Sequence, residues 1–109
     1  MAYFTAKSIV RDGLDPALGS AAAGGDAFIN DGATFIEVDN AGVGSINVTI
    51  VTQKTIDAQA VADRVVAVPN GERRFIGPFQ QQFYNDGDDK VQITYSAVTS
   101  VTVGAFKLT

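Results

Sequence analysis

A period of two runs through much of the chain. Between Ser45 and Thr52, Ile46, Val48 and Ile50 fall on one face and Asn47 and Thr49 on the other, as in a strand with one side in a core. Val91, Ile93 and Tyr95 alternate in the same way with Gln92 and Thr94. From Ala33 to Asp39, Thr34, Ile36 and Val38 are set against Phe35, Glu37 and Asp39, and with 45–52 this run reads as a hairpin. Arg64–Val68 and Glu72–Ile76 flank Pro69-Asn70-Gly71, and an Asn-Gly pair after a Val-rich run is a strong hairpin cue. Tyr3–Val10 predicts a first strand and Val98–Leu108 a last one, while Gln80–Tyr84 precedes a turn over Asn85–Asp89.

Two stretches break the alternation. Arg11–Phe28 is rich in Gly, Ala and Asp and reads as an extended loop or arm hugging the surface; a short helical turn at Ala21-Ala22-Ala23 would end at Gly24-Gly25. Over 53–62, a helical turn or irregular crossover competes equally with a strand. The whole predicts an all-β, single-domain β-sandwich or small barrel of about seven or eight short strands, wound as a Greek key or jelly roll. Thirteen Val, eight Ile and nine Thr agree with that class, because β-branched side chains suit pleated, half-buried surfaces. No internal repeat is visible.

Composition then narrows the chemistry. The 109 residues are 46% hydrophobic and 18% charged, enough to bury the core of one domain. With neither Cys nor His, the chain has no disulfide, thiol nucleophile, imidazole proton shuttle or Ser-His-Asp triad. Twelve acids against eight bases give a net charge of -4, which argues against a nucleic-acid partner, since phosphate affinity comes from Lys and Arg. Apolar runs of a few residues fall far short of the roughly 20 that span a bilayer, so no membrane partner is expected. The start MAYFTAKSIVRDG lacks the pattern of a secretory signal, so synthesis in a cytoplasm is expected.

Three polar constellations invite a functional reading. Asp86, Asp88 and Asp89 in NDGDD have the oxygen-rich look of a calcium loop but lack its downstream Glu, so a solvated turn is preferred. Glu37 and Asp39 share a strand face as glycosidase carboxylates would, yet the chain has no Trp and three Tyr for sugar stacking, and no active site is assigned. Asn47-Val48-Thr49 matches a glycosylation sequon and reads better as strand.

Arg64, Arg73 and Arg74 concentrate positive charge beside Phe75, Ile76, Pro78 and Phe79. Arg and aromatic residues are enriched at interface centres. The competing reading puts Phe75 or Ile76 in the core, with the arginines in water or paired to Glu72 or Asp63. Tyr3 and Phe4 pose a similar choice, between completing the chain's own sheet and adding to a neighbour's edge.

The segments RDGLDPALGSAAAGGDAFINDGATFIEVDN, VVAVPNGERRFIGPF and FYNDGDDKVQITYSAVTSVTVGAFKL cover most of the chain. In spacing and turns they resemble small structural proteins encoded beside the major capsid gene of tailed bacteriophages, the second segment, with its turn followed by an Arg and an apolar "IGPF" stretch, being the most distinctive. The resemblance implies a capsid decoration, or cement, protein on the exterior of the virion head. It implies the major capsid protein as partner, a homo-oligomer with a trimer favoured, no cofactor and no catalytic residues. The contacts expected on this basis are Tyr3, Phe4, Arg11, Leu14 and Leu18 from the strand and arm, with Arg73, Arg74, Phe75, Pro78 and Phe79. A head-tail joining, tail-tube or fibre subunit is the alternative, and a carbohydrate-binding module a more distant one.

Overall fold

The computed structural model describes residues 2–108, with the backbone alone at 2–4 and 60. Its strands are β1 (Ala2–Phe4), β2 (Lys7–Ile9), β3 (Gly19–Ser20), β4 (Asp26–Ile29), β5 (Thr34–Asn40) and β6 (Ile46–Ile50). They continue with β7 (Thr55–Ile56), β8 (Gln59–Ala60), β9 (Arg64–Val68), β10 (Glu72–Ile76), β11 (Lys90–Tyr95) and β12 (Val101–Leu108). One helical turn, α1 (Gln81–Tyr84), precedes β11. Sheet I runs β1-β4-β11-β6-β9 and sheet II runs β10-β5-β12-β2, with β3 also beside β12.

The alternation predicted from sequence builds the core of this β-sandwich. Phe28, Ile46, Val48, Ile50, Val91 and Ile93 of sheet I face Ile36, Val38, Ile76, Val101, Val103 and Ala105 of sheet II, all buried. Each full burial of a Val, Ile or Phe contributes about 1.5–3 kcal/mol. β4 pairs with β11, β5 with β10 and β6 with β9, all antiparallel. These are nested rungs of one long hairpin, lying in sheets I, II and I in turn, which is jelly-roll winding.

The two hairpins expected at 33–52 and 64–76 do not form. β5 lies in sheet II and β6 in sheet I, and β9 and β10 are likewise split between the sheets. Both connections are arches across the core, and Asn40 explains the pair of them. Its buried side-chain amide donates to the Gly44 and Val68 carbonyls at 2.9 and 3.0 Å, and its Oδ1 accepts from Gly42 N–H at 3.0 Å. The turn at 69–71 does form, but Gly71 N–H bonds the Asn40 carbonyl at 2.7 Å and so ties the turn to β5.

The strand expected over Tyr3–Val10 is divided between the sheets, β1 pairing parallel with β4 and β2 parallel with β12. The loop expected over 11–28 ends early, since Asp26, Ala27 and Phe28 are buried residues of β4. Within 53–62 the chain makes the small hairpin β7–β8, turned by Asp57 and Ala58 at φ 55 and 61, the left-handed pair that a tight hairpin turn requires.

Candidate functional site

The arches and the strand switch give the sandwich two unlike flanks. On the first, residues 10–18 run over the outer face of sheet II. A Cβ on Gly104 of β12 would lie 2.8 Å from Leu18 Cδ2 and 3.2 Å from the Phe106 ring, so a glycine there lets the segment lie flat on the strand. Leu14 and Leu18 are half-buried by this contact and Arg11 is exposed. Ile9, Val10, Leu14, Pro16, Phe35, Phe75 and Phe106 surround a cleft of about 210 Å³ on the same face. Tyr3 and Phe4 stand on β1 at this flank, and their side chains lie outside the described residues.

On the second flank the edge strands β9 and β10 lie beside each other, and the bonds of their neighbours show which backbone groups point outward. Asn47 N–H donates to Ser96 Oγ at 2.8 Å and its carbonyl accepts from Ser96 N–H at 3.0 Å, so both of its groups face β11. Strand alternation then turns Ile46, Val48 and Ile50 toward β9, where they meet Val68, Val66 and Arg64. Val65 and Ala67, both exposed, direct their N–H and C=O groups away from the sheet. By the same logic, Ala41 N–H donating to the Ser100 carbonyl leaves Arg73 and Phe75 as the outward residues of β10. There, Arg74 Nη1 donates to the Arg73 carbonyl at 2.9 Å.

Between these strands lies a cleft of about 580 Å³ lined by Arg64, Val66, residues 75–80, Phe83 and Tyr84. Gly77, at φ 130, makes the bend that leads into it; a Cβ there would lie 2.9 Å from that of Phe35. Pro78 is exposed beyond the bend. Phe79 turns inward, 3% exposed, with its ring 5.8 Å from Phe28 and 5.6 Å from Tyr84. It therefore packs in the core, where it forms the floor of the cleft. Phe75 is 67% exposed and Ile76 buried, so of the two alternatives Ile76 is the one that fills the core.

The arginines divide by partner. Arg73 donates to Glu37 at 2.9 Å and Asp39 at 3.3 Å, and Arg74 to Glu72 at 2.7 Å. Sequence had offered Glu72 or Asp63 as partners; the carboxylates of Glu37 and Asp39 arrive through the β5–β10 register. Arg64 Nε donates instead to the Tyr84 hydroxyl at 3.3 Å, which pushes the guanidinium pKa up. Lys54 Nζ sits 5.5 Å from the Phe83 ring centroid, in reach of a cation–π attraction. Among the described residues, Arg64 and Lys54 have no carboxylate ion-pair partner. The nearby Asp63 accepts Thr52 N–H at 2.9 Å. Lys54, Phe83 and Tyr84 were not singled out with the arginines, because they come from elsewhere in the chain, Phe83 and Tyr84 on α1 and Lys54 from the segment between β6 and β7.

The remaining polar groups are structural. Asp86 Oδ1 accepts the N–H groups of Asp88 and Lys90, and its Oδ2 accepts Gln92 Nε2 at 2.6 Å. Burial alone would raise its pKa, but these bonds hold it below the usual range, and they occupy the carboxylate as the clasp of a turn. Asp26, fully buried, accepts the Tyr95 hydroxyl at 2.6 Å and Ala22 N–H at 3.2 Å through Oδ2. Among the described residues, no helix is long and apolar enough to cross a membrane.

No known protein family, curated protein or solved structure matches this chain.

Proposed function

We propose that the domain is a structural adhesion module, a capsid decoration protein that binds the exterior of a bacteriophage head and stabilises the shell. The observation that carries the adhesion reading is the second flank. There, exposed Phe75 and Pro78, the aromatic pair Phe83 and Tyr84 and the unpaired cations Arg64 and Lys54 border one cleft and one open strand edge. Large aromatic and arginine side chains around a cleft are the usual ingredients of an interface centre. The resemblance in the three quoted segments supplies the shell as partner.

In this reading the domain docks as a rigid body at many equivalent sites. Each copy favours the assembled shell over separated subunits by mass action, and a trimer at local threefold positions multiplies the effect through avidity. The test is to add the purified protein to expanded shells lacking it and image them by electron microscopy. Density at hundreds of equivalent exterior positions supports decoration. Density at a single vertex or along the tail reassigns the protein to a joining or tail role, and bare shells reject the reading.

A further inference from the structure

We infer that the open edge of β9 takes up an extended, acidic segment of a partner protein as an added strand, with an apolar side chain of that segment seated in the cleft between β9 and β10. The inference deepens the adhesion reading and rests on it, since it specifies what the second flank binds.

Four backbone groups carry it. Val65 and Ala67 point their N–H and C=O groups out of sheet I, and these provide four main-chain hydrogen bonds for an incoming strand. Exposed edges are ordinarily blunted by proline, by clustered charge or by a covering segment. β9 has no proline, its one charged residue is Arg64, and its outward Val65 is 56% exposed. The β10 edge beside it is blunted, because Arg74 occupies the Arg73 carbonyl and Arg73 is held by two carboxylates.

The cleft fixes what the added strand should contain. Arg64, Val66 and Val68 share the inward face of β9, since they pair with Ile50, Val48 and Ile46. A strand about 4.8 Å beyond β9 places its own inward side chains over the gap between the sheets. There, the residue opposite Val66 meets Pro78, Phe83 and Tyr84, which suits an apolar or aromatic side chain. Its inward neighbour faces Arg64, which donates to the neutral Tyr84 phenol and has no carboxylate ion pair among the described residues, and Lys54 lies beyond on the Phe83 ring. A carboxylate at that place gains a cross-strand ion pair, whereas a lysine would meet repulsion.

A capped probe peptide of sequence Thr-Asp-Thr-Phe-Thr-Asp-Thr puts Asp, Phe and Asp on one face in either strand direction. Titrated into ¹⁵N-labelled protein, it is expected to shift the amides of 64–68 and 83–84 and to slow exchange at Val65 and Ala67. A twin with Lys for Asp is expected to bind at least tenfold more weakly. Ala67→Pro deletes an N–H that makes no bond inside the domain, so it should keep the native spectrum while weakening the probe at least tenfold. Arg64→Gln should abolish discrimination between the twins.

Equal binding of the twins, full binding to Ala67→Pro, shifts confined to another face, or no binding at millimolar probe each overturns the inference. So does a dimer of the protein that already protects Val65 and Ala67, because the occupant is then a second copy. Shells separate the two levels. If Ala67→Pro occupies them as the parent does, the strand-addition inference fails and the adhesion reading stands. If the parent itself leaves them bare, the adhesion reading fails.

Discussion

At one flank of the sandwich, β1 and β2 pair parallel with β4 and β12, β3 joins β12 further along, and the segment between β2 and β3 lies across sheet II. At the other, β9 ends sheet I with no strand beside Val65 and Ala67 among the described residues, and Arg74 blunts β10. A sandwich has four sheet edges, and an unprotected one invites pairing with other chains. Residues 2–20 cover the β4 and β12 edges, so that β1 and β2, strands of only three residues, end the two sheets at this flank, and a guanidinium blunts β10. The fourth lies beside the aromatic cleft, Arg64 and Lys54, which is why the proposed docking is placed there.

Removing the closed flank should have the largest effect. Deletion of residues 2–20 opens the β4 and β12 edges and uncovers Phe106, now 4% exposed. Loss of the cooperative urea transition together with light-scattering aggregates is expected. An unchanged transition midpoint would mean that the segment does not close the sheets.

Next is Asn40→Ala, which leaves the Gly44 and Val68 carbonyls and Gly42 N–H without their partner. A loss of about 3 kcal/mol in urea denaturation is expected, at the upper end of what an unsatisfied buried group costs. The arch it holds sets the position of β9 against β10, so the amides of 64–76 should shift as well.

Tyr95→Phe should cost less, about 1–2 kcal/mol near neutral pH, by removing the hydroxyl that donates to buried Asp26. Burial, followed by the bond and charge of Asp26, pushes the phenol above its ordinary value of 10.0. A raised pKa favours the neutral form in the folded state. The contribution is therefore full below about pH 10 and declines as pH rises beyond it, while the unfolded chain ionises first. Denaturation midpoints at about pH 8 and about pH 11 should show a steeper alkaline decline in the parent than in the variant. Equal slopes would contradict this.

Faces were easier to read from the sequence than neighbours. Period-two alternation put Ile46, Val48 and Ile50 on one side of a strand, and they lie in the core. It carries no information about which strand lies alongside, so a Pro-Asn-Gly turn read as a hairpin became an arch once Gly71 bonded Asn40. β4 went unseen because it opens with Asp26, a charge type seldom fully buried, whose place in the core depends on the Tyr95 hydroxyl 69 positions away. The candidate site was half legible. Clustered Arg73 and Arg74 stood out as charge, yet their ion pairs leave Arg64 as the unmatched one, and its companions Phe83 and Tyr84 come from a helical turn that no periodicity announced.

The smallest effect on stability belongs to the open flank. Ala67→Pro removes only an outward N–H and should change the unfolding free energy by no more than about 0.5 kcal/mol, as edge positions tolerate proline. A loss of several kcal/mol in the same urea experiment would mean that the Ala67 amide is bonded within the domain.

Amide hydrogen exchange in the free monomer tests the contrast between the flanks most directly. Val65 and Ala67 should exchange orders of magnitude faster than Val66 between them and than the paired amides of β4 and β12. Protection of Val65 and Ala67 equal to that of Val66 in a monomeric sample would contradict the account.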